Sequence, residues 1–248
     1  MALSKNEIKL IKSLQVKKSR ESNRLFVVEG VKLVTELLSQ EKFKVESIFY
    51  AEPFGVDLPS NIHHFKISTS ELERISGLVT PNKVLAVVKY PAQASPDLTK
   101  NQLILILDEI SDPGNLGTIL RTADWFGIHT VIASPTTVDL FNPKVIQASM
   151  GAVYRINFIQ DDLLKRVENL KENGFELIGA NLSGNNLYEH KFSPKTALIM
   201  GSESHGISPK VEKLLNSTLT IPRIGQTESL NVAIATAVIL SNYSAKLL

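Results

Sequence analysis

Residues 197–208 read Ala-Leu-Ile-Met-Gly-Ser-Glu-Ser-His-Gly-Ile-Ser, and residues 218–240 read Thr-Leu-Thr-Ile-Pro-Arg-Ile-Gly-Gln-Thr-Glu-Ser-Leu-Asn-Val-Ala-Ile-Ala-Thr-Ala-Val-Ile-Leu. Each opens with a short apolar run that breaks at a glycine or proline, the pattern of a buried strand handing over to a loop at a sheet edge. In open α/β sheets, ligands bind at that edge. Beyond the second loop, Ser229 is placed to cap a helix. Val232–Leu240 is apolar almost all round, with Ala233, Ala235, Thr236 and Ala237 as its small residues. Such a helix must be covered on most sides, and small residues admit a second backbone. The expectation is a buried helix at a subunit interface.

Upstream, Leu103-Ile-Leu-Ile-Leu107 is apolar on both faces, as a central parallel strand should be. A Pro-Gly turn at residues 113–114 and a helix from about Leu116 to Phe126 follow. Strands are predicted at 130–133, 155–159 and 175–180, with helices at 143–150 and 163–173 between them. This alternation predicts a mostly parallel sheet with helices on both faces. Residues 90–97, Tyr-Pro-Ala-Gln-Ala-Ser-Pro-Asp, break the pattern, which divides the chain into domains at 1–92 and 98–248. The first is read as a small α/β unit: an amphipathic helix at 5–16, strands at 25–28, 45–50, 64–67 and 84–88, a helix at 31–38, and another to about Ser76 capped by Ser70.

A chain of 248 residues with 43% hydrophobic content builds ordinary cores, and having no cysteine it excludes disulfide scaffolds, thiol catalysis and Cys-based zinc sites. No apolar run approaches the roughly 20 residues of a membrane span, and the lysine-interleaved N-terminus lacks the core of a secretory signal. The reading is a cytoplasmic protein without a membrane partner. The net charge of +2 hides an asymmetry: Lys5, Lys9, Lys12, Lys17, Lys18, Arg20 and Arg24 face only Glu7 and Glu21 in the first 24 residues. Such a run is either a solvated helical face or a contact for phosphates. His63, His64 and His190 lack metal-ligand spacing, so no metal site is expected. Trp125 is assigned to the core, and His205 is given no direct chemical role.

Ile199-Met-Gly-Ser-Glu-Ser-His-Gly-Ile207, and Ile221-Pro222 followed by Glu228-Ser-Leu-Asn-Val-Ala233, resemble the second and third motifs of the SpoU/TrmH-type RNA ribose 2'-O-methyltransferases. Asn115-Leu-Gly-Thr-Ile-Leu-Arg-Thr-Ala123 resembles the first. The resemblance implies a SPOUT-type α/β fold whose C-terminal domain carries a deep trefoil knot, preceded by a small substrate-binding domain similar to a ribosomal protein. No G-x-G-x-x-G fingerprint follows the first strand of the second half, which argues against a Rossmann enzyme. Residues 138–151 also look like a family stretch, with Gln147 standing where arginine is expected.

The resemblance implies transfer of a methyl group from S-adenosylmethionine to a ribose 2'-oxygen of structured RNA, with large-subunit ribosomal RNA as substrate and a homodimer formed through the C-terminal helix. The matched catalytic positions are Asn115, Arg121, Glu203, Ser229 and Asn231. The matched cofactor positions are Met200, Gly201, Ile221 and Leu230, joined by Ala180 and Asn181 at a strand end. Glycine at 201 admits backbone close to the ligand, and Ile221 with Leu230 sandwiches the adenine. Arginine resists deprotonation, so Arg121 is read as the partner of an RNA phosphate and of charge developing on oxygen. Glu203 orients Arg121, binds the incoming nucleotide, or caps the helix after it. Taken alone, residues 112–115 are turn chemistry and Arg121 a surface arginine. Three alternatives stay open: an RNA-binding protein without catalysis, methylation of a base, and transfer RNA as substrate.

Overall fold

The computed structural model describes residues 3–92, 98 and 102–246. Two compact units emerge. The first half forms α1 (Lys5–Ser13), α2 (Lys17–Asn23), β1 (Leu25–Glu29), α3 (Val31–Leu38), β2 (Val45–Tyr50), β3 (His63–Lys66), α4 (Thr69–Ile75) and β4 (Val84–Lys89). Its sheet has the order β1-β4-β2-β3, antiparallel except for the β2–β3 pair. Strand alternation sorts side chains onto two faces. Phe26, Val28, Val84, Ala86 and Val88 share one core with Leu33, Val34 and Leu37 of α3. Val27, Leu85 and Val87 share the other with Ile11 and Leu14, and with Leu72 and Ile75 of α4.

The chain turns at 14–16, so the helix expected over 5–16 becomes two, and α2 ends at Arg24 in the left-handed region. The cap of α4 is Ser68, not Ser70, because Ser68 and Glu71 form a reciprocal capping box. Arg20 leaves the basic run: it is 1% exposed, pairs with Asp139 at 2.6 Å and donates to the Leu14 and Gln15 carbonyls. A buried guanidinium needs such a full set of acceptors.

This unit also takes in Asp139–Tyr154, which the sequence division assigns to the second half. That segment holds α6 (Pro143–Ser149) and most of α7 (Ala152–Arg155). Phe141 stacks on Phe26 with ring centroids 4.3 Å apart, and Ile146, Val153 and Tyr154 join the same core. Gln147 donates to the Glu29 carbonyl at 2.8 Å, so its amide serves the fold. Glu29 itself is buried, accepting from the Ser76 hydroxyl at 2.5 Å and the Gly77 amide at 2.8 Å, and burial raises its pKa. A carboxyl raised on folding stabilises below its unfolded pKa and loses that contribution as pH climbs through the folded value. Thermal melts between about pH 4 and 8 are therefore expected to show Glu29→Gln gaining on the wild type as pH rises; parallel curves would refute this.

The second unit carries β5 (Leu103–Leu107), α5 (Pro113–Trp125), β6 (Thr130–Ala133), β7 (Asn157–Gln160), α8 (Leu163–Glu172), β8 (Glu176–Asn186), β9 (Thr196–Met200), α9 (Pro209–Glu212), β10 (Ser217–Thr220) and α10 (Val232–Ala245). Its sheet has the order β10-β8-β9-β5-β6-β7, and every pair is parallel. All five residues of β5 are buried, as a strand covered on both faces requires. Ile104, Ile106, Ala197 and Ile199 meet Val167 and Leu170 of α8 and Val211 of α9 on one face. Helices α5 and α10 pack on each other. α5 begins at Pro113 rather than near Leu116, since Asp112 caps it and proline suits its first turn. The last predicted linker residues, 93–97, lie outside the described residues.

Candidate active site

Strands β9 and β10 end on one side of the sheet, at Met200–Gly201 and Thr220–Ile221, beside Ala180–Asn181 of β8, which stops pairing with β9 at Gly179 but runs on to Asn186 along β10 rather than ending near Ala180 as the sequence predicts. A cavity of about 620 Å³ opens between these ends and the loops that leave them. All six residues assigned to the cofactor, Ala180, Asn181, Met200, Gly201, Ile221 and Leu230, line it, as do Glu203 and Ser229. Its volume and its mixture of aliphatic side chains with loop backbone suit a nucleoside-sized ligand. Ile221 and Leu230 provide apolar surface for a flat ring, Leu230 being 47% exposed.

The loop after β9 is a tight turn. Ser202 and Gly206 exchange backbone hydrogen bonds of 2.9 Å, Gly206 adopts φ +69°, and the His205 amide donates to Ser202 Oγ. Gly201 stands against this turn. A Cβ there would meet the Gly206 carbonyl carbon at 2.2 Å and the Ile207 nitrogen at 2.4 Å. Glycine at 201 is therefore demanded first by the protein's own backbone. The far end of the loop is pinned by Asp108, 3% exposed, whose Oδ2 accepts from the Ser208 amide at 2.8 Å. The sequence carried no signal for that contact, because the partners lie 100 residues apart.

At the tip of the turn, Glu203 Oε1 accepts from Asn231 Nδ2 at 2.8 Å, Asn115 Nδ2 at 3.2 Å and the Val232 amide at 3.3 Å. Asn231 Nδ2 also donates to Asn115 Oδ1 at 2.9 Å. Asn231 Oδ1 accepts from the amides of Ala233 and Ile234, so Asn231 caps α10. Ser229, expected in that role, instead lies in the loop that walls the cavity. Two residues separate it from the helix start, beyond the reach of its hydroxyl in a cap. The carboxylate thus sits where the N-termini of α5 and α10 converge, and both helix dipoles favour its negative charge. Three elements far apart in sequence meet on one oxygen atom.

Arg121 is placed differently. Its side chain is exposed on α5, it does not line the cavity, and it makes no hydrogen bond or ion pair among the described residues. Within one chain Glu203 therefore makes no contact with Arg121; its carboxylate binds the two asparagines instead. Trp125, assigned to the core, is 83% exposed. The buried stripe of α5 is Leu116, Gly117, Ile119, Leu120 and Ala123, and helical periodicity turns residue 125 away from it. Polar residues of the cavity wall that the sequence reading leaves out include Thr227 and Arg223, whose Nη1 donates to the Thr227 carbonyl and closes the loop. Their signal was only adjacency to the third motif. Among the described residues no group of acidic and histidine side chains forms a metal site, and no helix is long and apolar enough to cross a membrane.

A parallel sheet whose loops hold a carboxylate beside such a cavity, together with the family match and the relatives that follow, makes the chain an RNA methyltransferase. The chain belongs to the SpoU rRNA Methylase family, whose pattern matches residues 102–241, while residues 5–86 match the MRM3-like substrate binding domain. It is 32% identical over 240 residues to the 23S rRNA (guanosine(2553)-2'-O)-methyltransferase RlmP of Bacillus subtilis (strain 168), covering 96% of each chain. Identity to the 23S rRNA (guanosine-2'-O-)-methyltransferase RlmB of Acinetobacter baylyi is 30% over 85% of this chain and 93% of that one. The AdoMet-bound rRNA methyltransferase of Sinorhizobium meliloti superposes with a TM-score of 0.86 at 26% identity, covering 100% of this chain and 98% of that one.

Proposed function

We propose that the chain transfers a methyl group from S-adenosylmethionine to a ribose 2'-hydroxyl of large-subunit ribosomal RNA. The observation that carries this reading is the Glu203–Asn115–Asn231 cluster at the rim of the cavity. Met200 and Gly201 at the end of β9, and Ala180 and Asn181 within β8, present backbone to the cofactor, and Ile221 and Leu230 flank its adenine. When bound, S-adenosylmethionine supplies a methyl group on a sulfonium leaving group. Glu203, held through Oε1, offers Oε2 to the incoming nucleotide, while Asn115 and Asn231 fix the rim so that nucleotide and methyl donor are aligned. Ser229, free of the helix cap, is a hydroxyl at the cavity wall for the same nucleotide. Arg121 pairs with an RNA phosphate and stabilises negative charge on the 2'-oxygen.

Because Arg121 does not line the cavity of its own chain, it serves the cavity of a second copy in a homodimer built on α10. Supporting this, the Val232–Leu240 part of α10 is apolar almost all round, yet Ile234 is 52% exposed in the isolated chain. The exposed lysines of α1 and α2 supply phosphate contacts in the substrate-binding domain. The same reading has the 197–240 segment threaded as a trefoil knot and places the enzyme with the ribosomes in the cytoplasm.

The test is methyl transfer by the full chain from radiolabelled S-adenosylmethionine to ribosomal and transfer RNA. Label in large-subunit RNA, at linkages resistant to alkali, is expected. Arg121→Ala should lower kcat about 100-fold. Label in a base or only in transfer RNA would replace the substrate assignment, and cofactor binding without transfer to any RNA would leave an RNA-binding protein.

A further inference from the structure

Trp125 is the single tryptophan of the chain, and it stands 83% exposed at the end of α5. The other exposed residues on the same side of that helix include Thr118 and Arg121. Their spacing of three and four residues puts all three side chains in one stripe, with Arg121 and Trp125 one turn apart. Trp125 makes no ring or cation contact among the described residues, and Arg121 makes no ion pair. The neighbouring acid is spent: Asp124 accepts from Arg155 Nε at 2.9 Å and Nη2 at 2.7 Å. The stripe therefore carries an unneutralised guanidinium beside a bare indole.

We propose that this face of α5 binds the RNA strand next to the methylated nucleotide, with the Trp125 indole stacked on a nucleobase. The inference rests on the proposed function, because it takes Arg121 to hold the phosphate there. Charge decides the occupant. A polyanion whose repeat joins a phosphate to a π-surface matches a cation and an aromatic ring one helical turn apart, and stacking on tryptophan accepts any base. Arg121 points to the second copy's cavity, but a second copy seated on Trp125 itself would require contiguous apolar surface, whereas its exposed neighbours are Thr118 and Arg121 before it and Gly127 and His129 after it. Trp125 thus fixes the register of the strand while taking no part in proton or methyl transfer.

With only one tryptophan, intrinsic fluorescence of the full-length protein reports on this residue alone. At micromolar protein the emission should be that of a water-exposed indole, and it should be quenched saturably by an in vitro transcript of large-subunit ribosomal RNA and by poly(A). Trp125→Ala should raise KM for the transcript about 5- to 100-fold, leaving kcat at saturating RNA, the KM for S-adenosylmethionine and the melting temperature unchanged. Trp125→Phe should recover most of the loss. The proposal is overturned by emission that is already blue-shifted, moves to the red on dilution and ignores RNA, since a second copy would then cover the ring. It is equally overturned by an unchanged KM in Trp125→Ala. Quenching by RNA in a protein that transfers no methyl group would retain the stacking surface and remove the enzymatic reading; transfer by the wild type with an unaffected Trp125→Ala would do the reverse.

Discussion

Replacing Gly201 with alanine is expected to weaken S-adenosylmethionine binding severely and to lower the melting temperature. The added Cβ would lie 2.2 Å from the Gly206 carbonyl carbon, 2.4 Å from its oxygen and 2.4 Å from the Ile207 nitrogen. All three are backbone atoms, so no side-chain rotation relieves the clash. The 202–206 turn has to move, and with it the Ser202–Gly206 hydrogen-bond pair and the carboxylate of Glu203. Overpacking of this kind costs about 1–3 kcal/mol, which in a chain of this size corresponds to roughly 3–10 °C in Tm. The cavity suffers more than the fold, because Met200 to Ile207 form one continuous part of its wall. Calorimetric titration with S-adenosylmethionine should show affinity reduced by about 100-fold or more. An alanine variant that binds with wild-type affinity would remove the proposed cofactor site from this turn.

Removing the carboxylate of Glu203 is expected to have the largest effect on turnover. In Glu203→Ala the Val232 amide and one Nδ2 hydrogen each from Asn115 and Asn231 lose their acceptor. The two asparagines still have each other, and Asn231 still caps α10, so the protein should fold with a penalty of about 1–3 kcal/mol. What is lost is the fixed distance between the turn and the starts of the two helices. Misplacement of reacting groups by about an ångström costs on the order of 100-fold, and loss of a charged contact to the nucleotide adds to it. A fall in kcat of about 1,000-fold is expected, with the KM for S-adenosylmethionine changed only a few-fold. Glu203→Gln keeps an acceptor for the asparagines and loses the charge that faces the helix N-termini, so it should fall between the two. Retention of kcat within about 5-fold in the alanine variant would contradict a role for this cluster in alignment.

How much of this was legible in advance depends on how far apart the interacting residues lie. The strands β5, β6 and β9 are short apolar runs, and the helices α3, α5, α8 and α10 show caps or 3.6-residue stripes within their own sequence. Residues up to four positions apart decide such elements, so a single chain displays them. The loops at the sheet edge were legible for a related reason, since a strand end followed by glycine or proline marks such a loop at Gly201 and Ile221; the assignment of individual positions to the cofactor came with the resemblance to the family's motifs.

Tertiary structure alone decided the remainder. Ser229 and Asn231 are both good caps in isolation, and the choice fell to Asn231 because its amide also reaches Asn115 and Glu203, 116 and 28 residues away. Arg20 looked like one more surface cation until Asp139, 119 residues on, took it into the core. Asp139–Tyr154 was read with the second half by sequence order, yet Phe141 and Tyr154 bury their rings in the first. Trp125 has a side chain that favours burial, and the orientation of α5 turned it outward. In each case the local sequence left two placements close in energy, and a partner distant along the chain separated them: composition and periodicity determined which elements form, and packing determined which atoms those elements bring within hydrogen-bonding distance.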